Sequence, residues 1–588
     1  MTYIVKQKIH GKDYYYLRKA VRKGDKVTSK YVAYLGKTKK EAEKKAKEIL
    51  KVRKTGNFSH HSNQENLKIQ KSRKFLSHSN QEDLKEKNKK QERKGINMEM
   101  NLQHKNISVD EIAAFCKRKG FVYPSGEIYG GLSGMWDFGH LGVELKNNLK
   151  REWWKFHVYN RDDIVGIDGA IITNPKVWEA SGHVNAFVDV AVLNKKTKEK
   201  FKIDKHEIAK YQNDNNYEIK GEFNPMFTTQ VGPVAEDSVK AYLRPETAQL
   251  IFADFKLVFE NSRMKLPAGI AQVGKAFRNE IAPRDFLFRC REFEQMEIEY
   301  FVNPKGKCIY EIPNIDILVY SSEMQKQGEE MERMKFSDAF KKRIIKTEWH
   351  AYWLCQEFLW FVSLGANPLK FRIRQHMQDE KSHYALDTWD LEYEFPFGWK
   401  ELLGMANRSD FDLKQHQEHS GKDMSILDEK TGEKFIPHVV CEPSLGVERA
   451  FLVFMFDAYN YDKSRDNIVL RLNPKLSPIK AAVFPIVKRD DMEKIADDIV
   501  DELKREFNVV HDRSGSLGRR YSRSDEVGIP ITITVDGDTI KDKTVTLRDR
   551  DTTEQIRVKI SEIKDILDKV IGGRNLLTFG KRVNTRVK

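Results

Sequence analysis

Between Gly274 and Phe301 the chain reads GKAFRNEIAPRDFLFRCREFEQMEIEYF, the pattern of a strand, an arginine-rich loop and a return strand. Side chains alternate faces along a strand, so Arg278 and Glu280 share one face while Lys275 and Phe277 take the other, with Phe277 available to a core. A cation and a carboxylate then point into one space. The return strand repeats the device, with Gln295, Glu297 and Glu299 on one face and Met296, Ile298 and Tyr300 on the other. Between the strands, Arg284, Arg289 and Arg291 flank Pro283 in a loop long enough to fold over a polyanion. Planar guanidinium groups bind phosphate oxygens in pairs. These residue types therefore suit a phosphate-rich ligand held beside a row of acids.

The elements that must position this hairpin belong to a chain of 588 residues, 40% hydrophobic and 32% charged, enough for three or more domains. No apolar run reaches the roughly 18 residues needed to span a bilayer, and no signal pattern opens the chain, so a cytoplasmic home is expected and no membrane partner. Cys116, Cys290, Cys308, Cys355 and Cys441 are scattered without paired spacing, which argues against a disulfide framework or a zinc site. Charge is uneven. Residues 1–98 hold 28 Lys and Arg against 10 Asp and Glu, while the remainder holds 75 against 77. A basic arm beside a near-neutral body fits an accessory grip on nucleic acid, because lysine and arginine gain affinity by displacing phosphate counterions.

The chain falls into segments. Residues 1–50 read as an accessory module of three strands, with turns at His10-Gly11-Lys12 and Lys23-Gly24-Asp25, and a helix capped by Thr38 and Glu41. Residues 51–98 read as a polar linker containing the repeat HSNQENLK and HSNQEDLK. Residues 99–304 carry a helix at 109–119, a glycine-rich loop, and an amphipathic helix with Leu141, Leu145, Leu149, Trp153 and Phe156 on one side. A strand from Ile164 to Ile172 and the string YLRPETAQLIF follow. Residues 305–383 read as an insertion. Residues 384–475 return to strands, with Asp387, Asp390, Glu392, Glu394 and Glu401 near strand spacing, and close on EPSLGVERAFLVFMF. Residues 476–588 alternate strand and helix around a basic SGSLGRRYSRSDEVGIP loop, an α/β domain.

The hairpin string FRNE, IAPRD and REFEQMEIE resembles motif 2 of the class II aminoacyl-tRNA synthetases and is similar to that of the glycyl-tRNA synthetases. The long helix with its following strand resembles motif 1, and EPSLGVERAF resembles motif 3. The resemblance covers roughly residues 105–575. It implies an α+β fold: the class II antiparallel sheet flanked by helices, a C-terminal α/β anticodon-binding domain, and a small basic N-terminal ββα-like module.

It also implies a glycine-tRNA ligase, a homodimer through motif 1, with glycine and tRNA(Gly) as partners, ATP as co-substrate and Mg2+ as cofactor. Arg278, Glu280 and Arg449 are the implied catalytic residues. The implied ATP contacts are these three with Asn279, Phe288, Arg289, Cys290, Arg291, Glu292 and Phe293 on the hairpin. Glu401 and Leu402, and Gly446, Val447 and Glu448 of motif 3, complete them. Implied contacts to the amino acid are Glu246; Phe293, Glu294, Gln295, Met296 and Glu297; and Glu442, Pro443, Ser444, Leu445 and Gly446. Lys202 joins them by position, standing where relatives carry an arginine and keeping its charge without the planar fork. Glu401 is the implied magnesium ligand, since that ion prefers oxygen donors.

Arg519, Arg520, Tyr521, Arg523, Arg548 and Arg550 are the expected tRNA contacts of the last domain. Two other readings are a class II synthetase for a different amino acid and a non-catalytic synthetase-like RNA-binding protein. The FEQMEIE and RPETAQ strings oppose the first, and the presence of both Arg278 and Arg449 opposes the second.

Overall fold

The computed structural model describes residues 2–9, 12–23, 26–36, 107–186, 189–203, 207–233, 238–380, 385–428 and 431–583. It divides into two units, 1–102 and 103–588. In the first, Thr2–Ile9, Lys12–Lys23 and Lys26–Gly36 pair as an antiparallel three-stranded sheet. The expected helix after Thr38, the linker and its repeat lie outside the described residues.

In the second unit, strands with one acidic and one apolar face need a layer on the apolar side only. The chain supplies nine: β1 (Ile164–Ile167), β2 (Ala268–Phe277), β3 (Glu292–Val302), β4 (Asp316–Tyr320), β5 (Glu332–Lys335), β6 (Phe371–Gln375), β7 (Asp387–Phe395), β8 (Gly398–Asn407) and β9 (His438–Gly446). They form one sheet in the order β5-β4-β6-β7-β8-β9-β3-β2-β1, antiparallel from β6 to β2, with parallel pairs β4-β6 and β2-β1.

Helices α1 (His140–Trp154), α3 (Glu348–Ser363) and α5 (Val447–Ala458) share one core with Met296, Ile298 and Tyr300 of β3 and Trp389 and Leu391 of β7. On the other face a smaller core of Ala248, Ile251, Phe252 and Phe255 from α2 (Ala248–Ser262) and Leu413 from α4 (Phe411–Ser420) covers Ile270 and Phe301. The rest of that face carries the candidate site.

Three expectations are corrected. The strand that follows the motif 1 helix stops at Ile167; beyond it the Gly169 carbonyl accepts from Arg244, and only the bridge of Ile172 to Leu243 remains. Residues 305–383 are no appended insertion: they supply β4, β5, β6 and the buried helix α3 to the central sheet and its core. β2 ends at Phe277, which is half-buried, so Arg278 and Glu280 lie in the loop and strand alternation does not pair them.

The C-terminal domain is a six-stranded sheet, Ala481–Pro485 beside Val509–His511 and Ile531–Val535, followed by Thr544–Asp549, Gln555–Lys559 and Lys581–Val583. Its supposed basic loop is a helix, α6 (Leu517–Glu526), with Ser516 as N-cap.

Candidate active site

β3 presents Gln295, Glu297 and Glu299 on the face away from the main core, all buried. Across the strand pair, Ser444 lies opposite Glu297, and the same register sets Glu442 opposite Glu299. Carboxylate oxygens of Glu297, Glu299 and Glu442 come within 4.8 Å of one another. Glu246 reaches the same space because Arg244, 2% exposed, donates to the carbonyls of Lys275 and Gly169 at 2.6 Å each and so fixes the turn before α2. A β-carbon at Gly274 would collide with that guanidinium, so a larger residue there would have to displace it from these carbonyls.

His183 Nε2 stands 3.3 Å from Glu246, and Gln249 donates to the same carboxylate at 3.1 Å. Thr247 donates its hydroxyl to Glu297. Arg408, 1% exposed, donates to both oxygens of Asp412 at 2.7 Å and to Glu442 at 2.8 Å.

One arginine thus serves a crowd of acids. Burial raises the Glu246 carboxyl, but His183, Arg408 and Arg278 outweigh it and hold it below the usual carboxylate range. The others go the opposite way: burial and the Glu246 charge raise Glu297, and burial with neighbouring acids raises Glu442 despite Arg408. Gln272, opposite Glu297 in register and fully buried, presents an amide with no hydrogen-bond partner among the described residues. An enclosed acidic pocket lined by hydroxyls and amides suits a small cation.

The second half of the site lies toward β7 and β8. Arg278 donates to the Pro245 carbonyl at 3.0 Å and lies over the Phe293 ring at 5.5 Å. Arg449, on the first turn of α5, pairs with Glu401 at 3.1 Å and stands over Phe288 at 4.7 Å. A bulge makes this meeting possible. The register shifts between Leu391 and Glu392, so Leu402 is an extra residue and Glu401 faces Glu392 instead of the core. Burial would raise Glu401, but Arg449 and then His376 win and keep it ionised; its side chain is 45% exposed. Gly404 leaves the floor open, since a β-carbon there would stand 3.7 Å from Asp390 and 3.9 Å from Glu401. Arg289 is half-buried and, among the described residues, its side chain has no ion-pair partner.

Several expected contacts point elsewhere. Met296, Leu402, Leu445 and Val447 have their side chains in the main core, and Pro443 is buried, so these can meet a ligand only through backbone. Glu448 accepts from Lys146 at 2.7 Å and from the Glu294 backbone at 2.9 Å, while Glu294 pairs with Lys146 and Lys150, because both face α1. Cys290 turns its thiol to the Leu287 carbonyl at 3.4 Å, and Glu292 pairs with Lys275.

Arg291 donates to the carbonyls of Glu280 and Ser133, which makes it a brace for the loop. Asn279 is exposed, its amide donating to Pro225, and Glu280 buries one oxygen without a hydrogen-bond partner among the described residues. Gln295 donates to Ser444 at 2.9 Å, and Gly446 caps α5 at the rim. Lys202 pairs with Asp189 at 3.1 Å in a separate three-stranded sheet, away from the pocket acids in every contact described.

Sequence reasoning missed Arg408, Asp412, His183 and Thr247. Arg408 and Asp412 at helical i, i+4 spacing in ANRSDFDL were the available signal; His183 carried none. In the C-terminal domain the expected tRNA contacts are mostly structural. Arg520 is buried and donates to the Pro485 carbonyl at 2.6 Å. Arg548 holds Asp525 with two bonds of 2.8 and 2.9 Å, and Arg550 holds the Leu472 and Gly528 carbonyls. Tyr521 bonds Thr534, and Arg523 pairs with Asp512. Arg519 is exposed.

Residues 480–570 match the anticodon binding domain family. Over 476 residues the chain is 42% identical to the glycine–tRNA ligase of Treponema denticola, covering 79% of this chain and 97% of that protein. Over 499 residues it is 44% identical to the glycine–tRNA ligase of Geobacillus thermodenitrificans, covering 79% and 98%. Among solved structures, a prolyl-tRNA synthetase of Cryptosporidium parvum aligns at 15% identity with a TM-score of 0.49, covering 79% of this chain and 75% of that one.

Proposed function

Because the chain belongs to the glycine–tRNA ligase family, an ATP-dependent enzyme joining glycine to tRNA, we propose that the pocket of Glu246, Glu297, Glu442 and Ser444 holds the glycine ammonium. The observation carrying this reading is the surplus of buried acid around one arginine. Glycine offers no side chain to grip, so its ammonium must supply affinity. A charge pair at 4 Å is worth about 4 kcal/mol at an effective dielectric of 20, before desolvation. Larger amino acids meet walls already filled by Thr247, Gln272 and Glu297.

Arg278 bridges the glycine carboxylate and the α-phosphate of ATP, supported by its place between Pro245 and Phe293. A carboxylate oxygen attacks phosphorus, and the bond to the departing pyrophosphate breaks. Arg278 offsets the charge that develops, and holding two anions in line supplies much of the rate. Arg449 flanks the nucleotide from the Phe288 side, and Arg289, at the far side of the loop, reaches the phosphates. In the second step the terminal 3′-hydroxyl of tRNA attacks the activated carbonyl, and AMP leaves.

Glu401, ionised and half-exposed, fits a magnesium ion carried on the phosphates, offering one oxygen while phosphate and water offer the rest. Such an ion would neutralise phosphate charge. Arg519 contacts tRNA from the C-terminal domain, and the basic arm adds a second grip. The enzyme acts in the cytoplasm, where ATP and tRNA are at hand. It works as a homodimer through the motif 1 region, where Ile128, Tyr129 and Tyr159 are 88%, 89% and 76% exposed. Sedimentation against concentration tests the dimer.

The pocket is tested by Glu297→Gln in glycine-dependent ATP–pyrophosphate exchange. The expected result is a glycine KM raised on the order of 30-fold with ATP KM unchanged. An unchanged glycine KM would overturn the assignment.

A further inference from the structure

Glu299 is fully buried, and neither of its carboxyl oxygens has a hydrogen-bond partner among the described residues. Its surroundings explain the difficulty. On its own strand stands Glu297; across β9 stands Glu442, directly opposite by register; α4 brings Asp412; and the end of β8 brings Arg408. From β2 the residue opposite is Ile270, and from α2 the nearby ring is Phe252, which lies under the Arg408 guanidinium, so these two elements add no charge. Arg408 directs three N–H groups to Asp412 and Glu442 and none to Glu299, whose carboxyl its charge nonetheless draws down.

Like charges directly opposite on neighbouring strands repel, and a buried carboxylate without donors is costly. Two carboxyl groups that share a site escape both penalties by sharing a proton.

Resting on the glycine pocket described above, we propose that Glu299 is a positioning residue that works as a neutral carboxylic acid, donating its proton to Glu442 and so fixing the carboxylate that meets the glycine ammonium. This gives one of the two unpartnered Glu299 oxygens a role as donor, toward a carboxyl group whose oxygen lies within 4.8 Å. It also lowers the pocket's negative charge enough for Glu246 and Glu297 to remain usable. Burial and then the Glu442 charge push the Glu299 carboxyl upward, in the required direction, and outweigh the opposing pull of Arg408.

Glu299→Leu keeps the volume and removes the proton, whereas Glu299→Gln keeps a neutral donor in the same place. In pyrophosphate exchange with the full chain, Glu299→Leu is expected to raise glycine KM about tenfold with ATP KM unchanged, and Glu299→Gln to recover to within about threefold of the parent. Infrared difference spectra at pH 7 should show a protonated-carboxyl band that Glu299→Gln removes; this reading needs neither glycine nor the leucine variant.

A glutamine variant as impaired as the leucine one, or a parent protein without the band, would overturn the proposal. So would a leucine variant with parental glycine KM. Failure of the glycine pocket itself shows separately, as an unchanged KM in Glu297→Gln with the infrared band intact.

Discussion

Two buried charge clusters in the body of this protein look alike in sequence and behave oppositely in structure. In the C-terminal domain, Arg520, Arg548 and Arg550 are 5%, 6% and 2% exposed, and each is matched by carbonyls or by a bidentate carboxylate. In the pocket proposed for the amino acid, Glu246, Glu297, Glu299 and Glu442 are equally buried; Arg408 pairs with Glu442 at 2.8 Å and His183 Nε2 stands 3.3 Å from Glu246. The first cluster is nearly closed: of these three guanidinium groups, only Arg520 leaves a buried nitrogen, Nε, without a hydrogen-bond partner among the described residues. The second leaves both Glu299 oxygens without a hydrogen-bond partner among the described residues, and under the proposed function glycine brings the positive charge it lacks. Buried charge marks a ligand site where the account does not balance; where it balances, it marks a joint in the fold.

The hardest way to break this contrast is at Arg278, whose charge is proposed to bridge the glycine carboxylate and the α-phosphate. Arg278→Ala is expected to lower glycine-dependent pyrophosphate exchange on the order of 1,000-fold, the scale of a preorganised cation at a developing charge. The urea midpoint should hardly move. A loss under tenfold would remove Arg278 from the mechanism.

The closed cluster predicts the reverse. Arg548→Ala removes two of the three charge-assisted bonds that Asp525 accepts, leaving the one from Arg465 at 3.2 Å, and should cost about 3 kcal/mol in unfolding of the C-terminal domain. Glycine activation, measured without tRNA, should persist at low temperature. Replacing the pair together, with Arg548→Met and Asp525→Leu, should recover most of that stability. If the double variant is as unstable as the single, the cluster is more than a closed pair.

The sequence displayed the open cluster because alternation in EFEQMEIE sorts acids to one face and apolar groups to the other, and the structure keeps that sorting. It did not display partners. Arg548 and Arg550 looked available because the sequence carries no sign that Asp525 and the Leu472 carbonyl would meet them. Glu294 and Glu448 looked like ligand contacts until α1 brought Lys146 between them. The bulge at Leu402 was invisible as well, because a strand pattern records alternation and not the one place where it slips. The helix at 517–526 was hidden by its arginines, whose buried member, Arg520, sits at helical spacing with the buried Ser524.

Glu357 separates unpaired burial from function. It is fully buried on α3, 3.4 Å from His157, and burial alone raises its carboxyl to about 8. Between the ordinary 4.5 and about 8 the folded protein therefore holds a proton that the unfolded chain has released, so stability falls as pH rises through that window. Glu357→Gln removes this contribution. Relative to the parent it should gain on the order of 2 kcal/mol between pH 5 and 8.5 in denaturant titrations, with glycine KM unchanged. A shifted glycine KM would mean that Glu357 is coupled to the pocket.

The finest test compares neighbours on one helix. Arg519 is exposed, its backbone nitrogen capped by Ser516, while Arg523 is bound to Asp512 and the Ser514 carbonyl. If unmatched charge marks a ligand surface, Arg519→Ala should raise the tRNA KM in aminoacylation about twofold to threefold and flatten its salt dependence by roughly one released counterion. Arg523→Ala removes a charge of the same sign from the same helix but must also free Asp512, so its effect should divide between stability and tRNA binding. Equal KM changes in both variants, with equal salt slopes and no stability difference, would mean that the helix presents charge without regard to pairing. The distinction drawn from the two buried clusters would then stop at the protein surface.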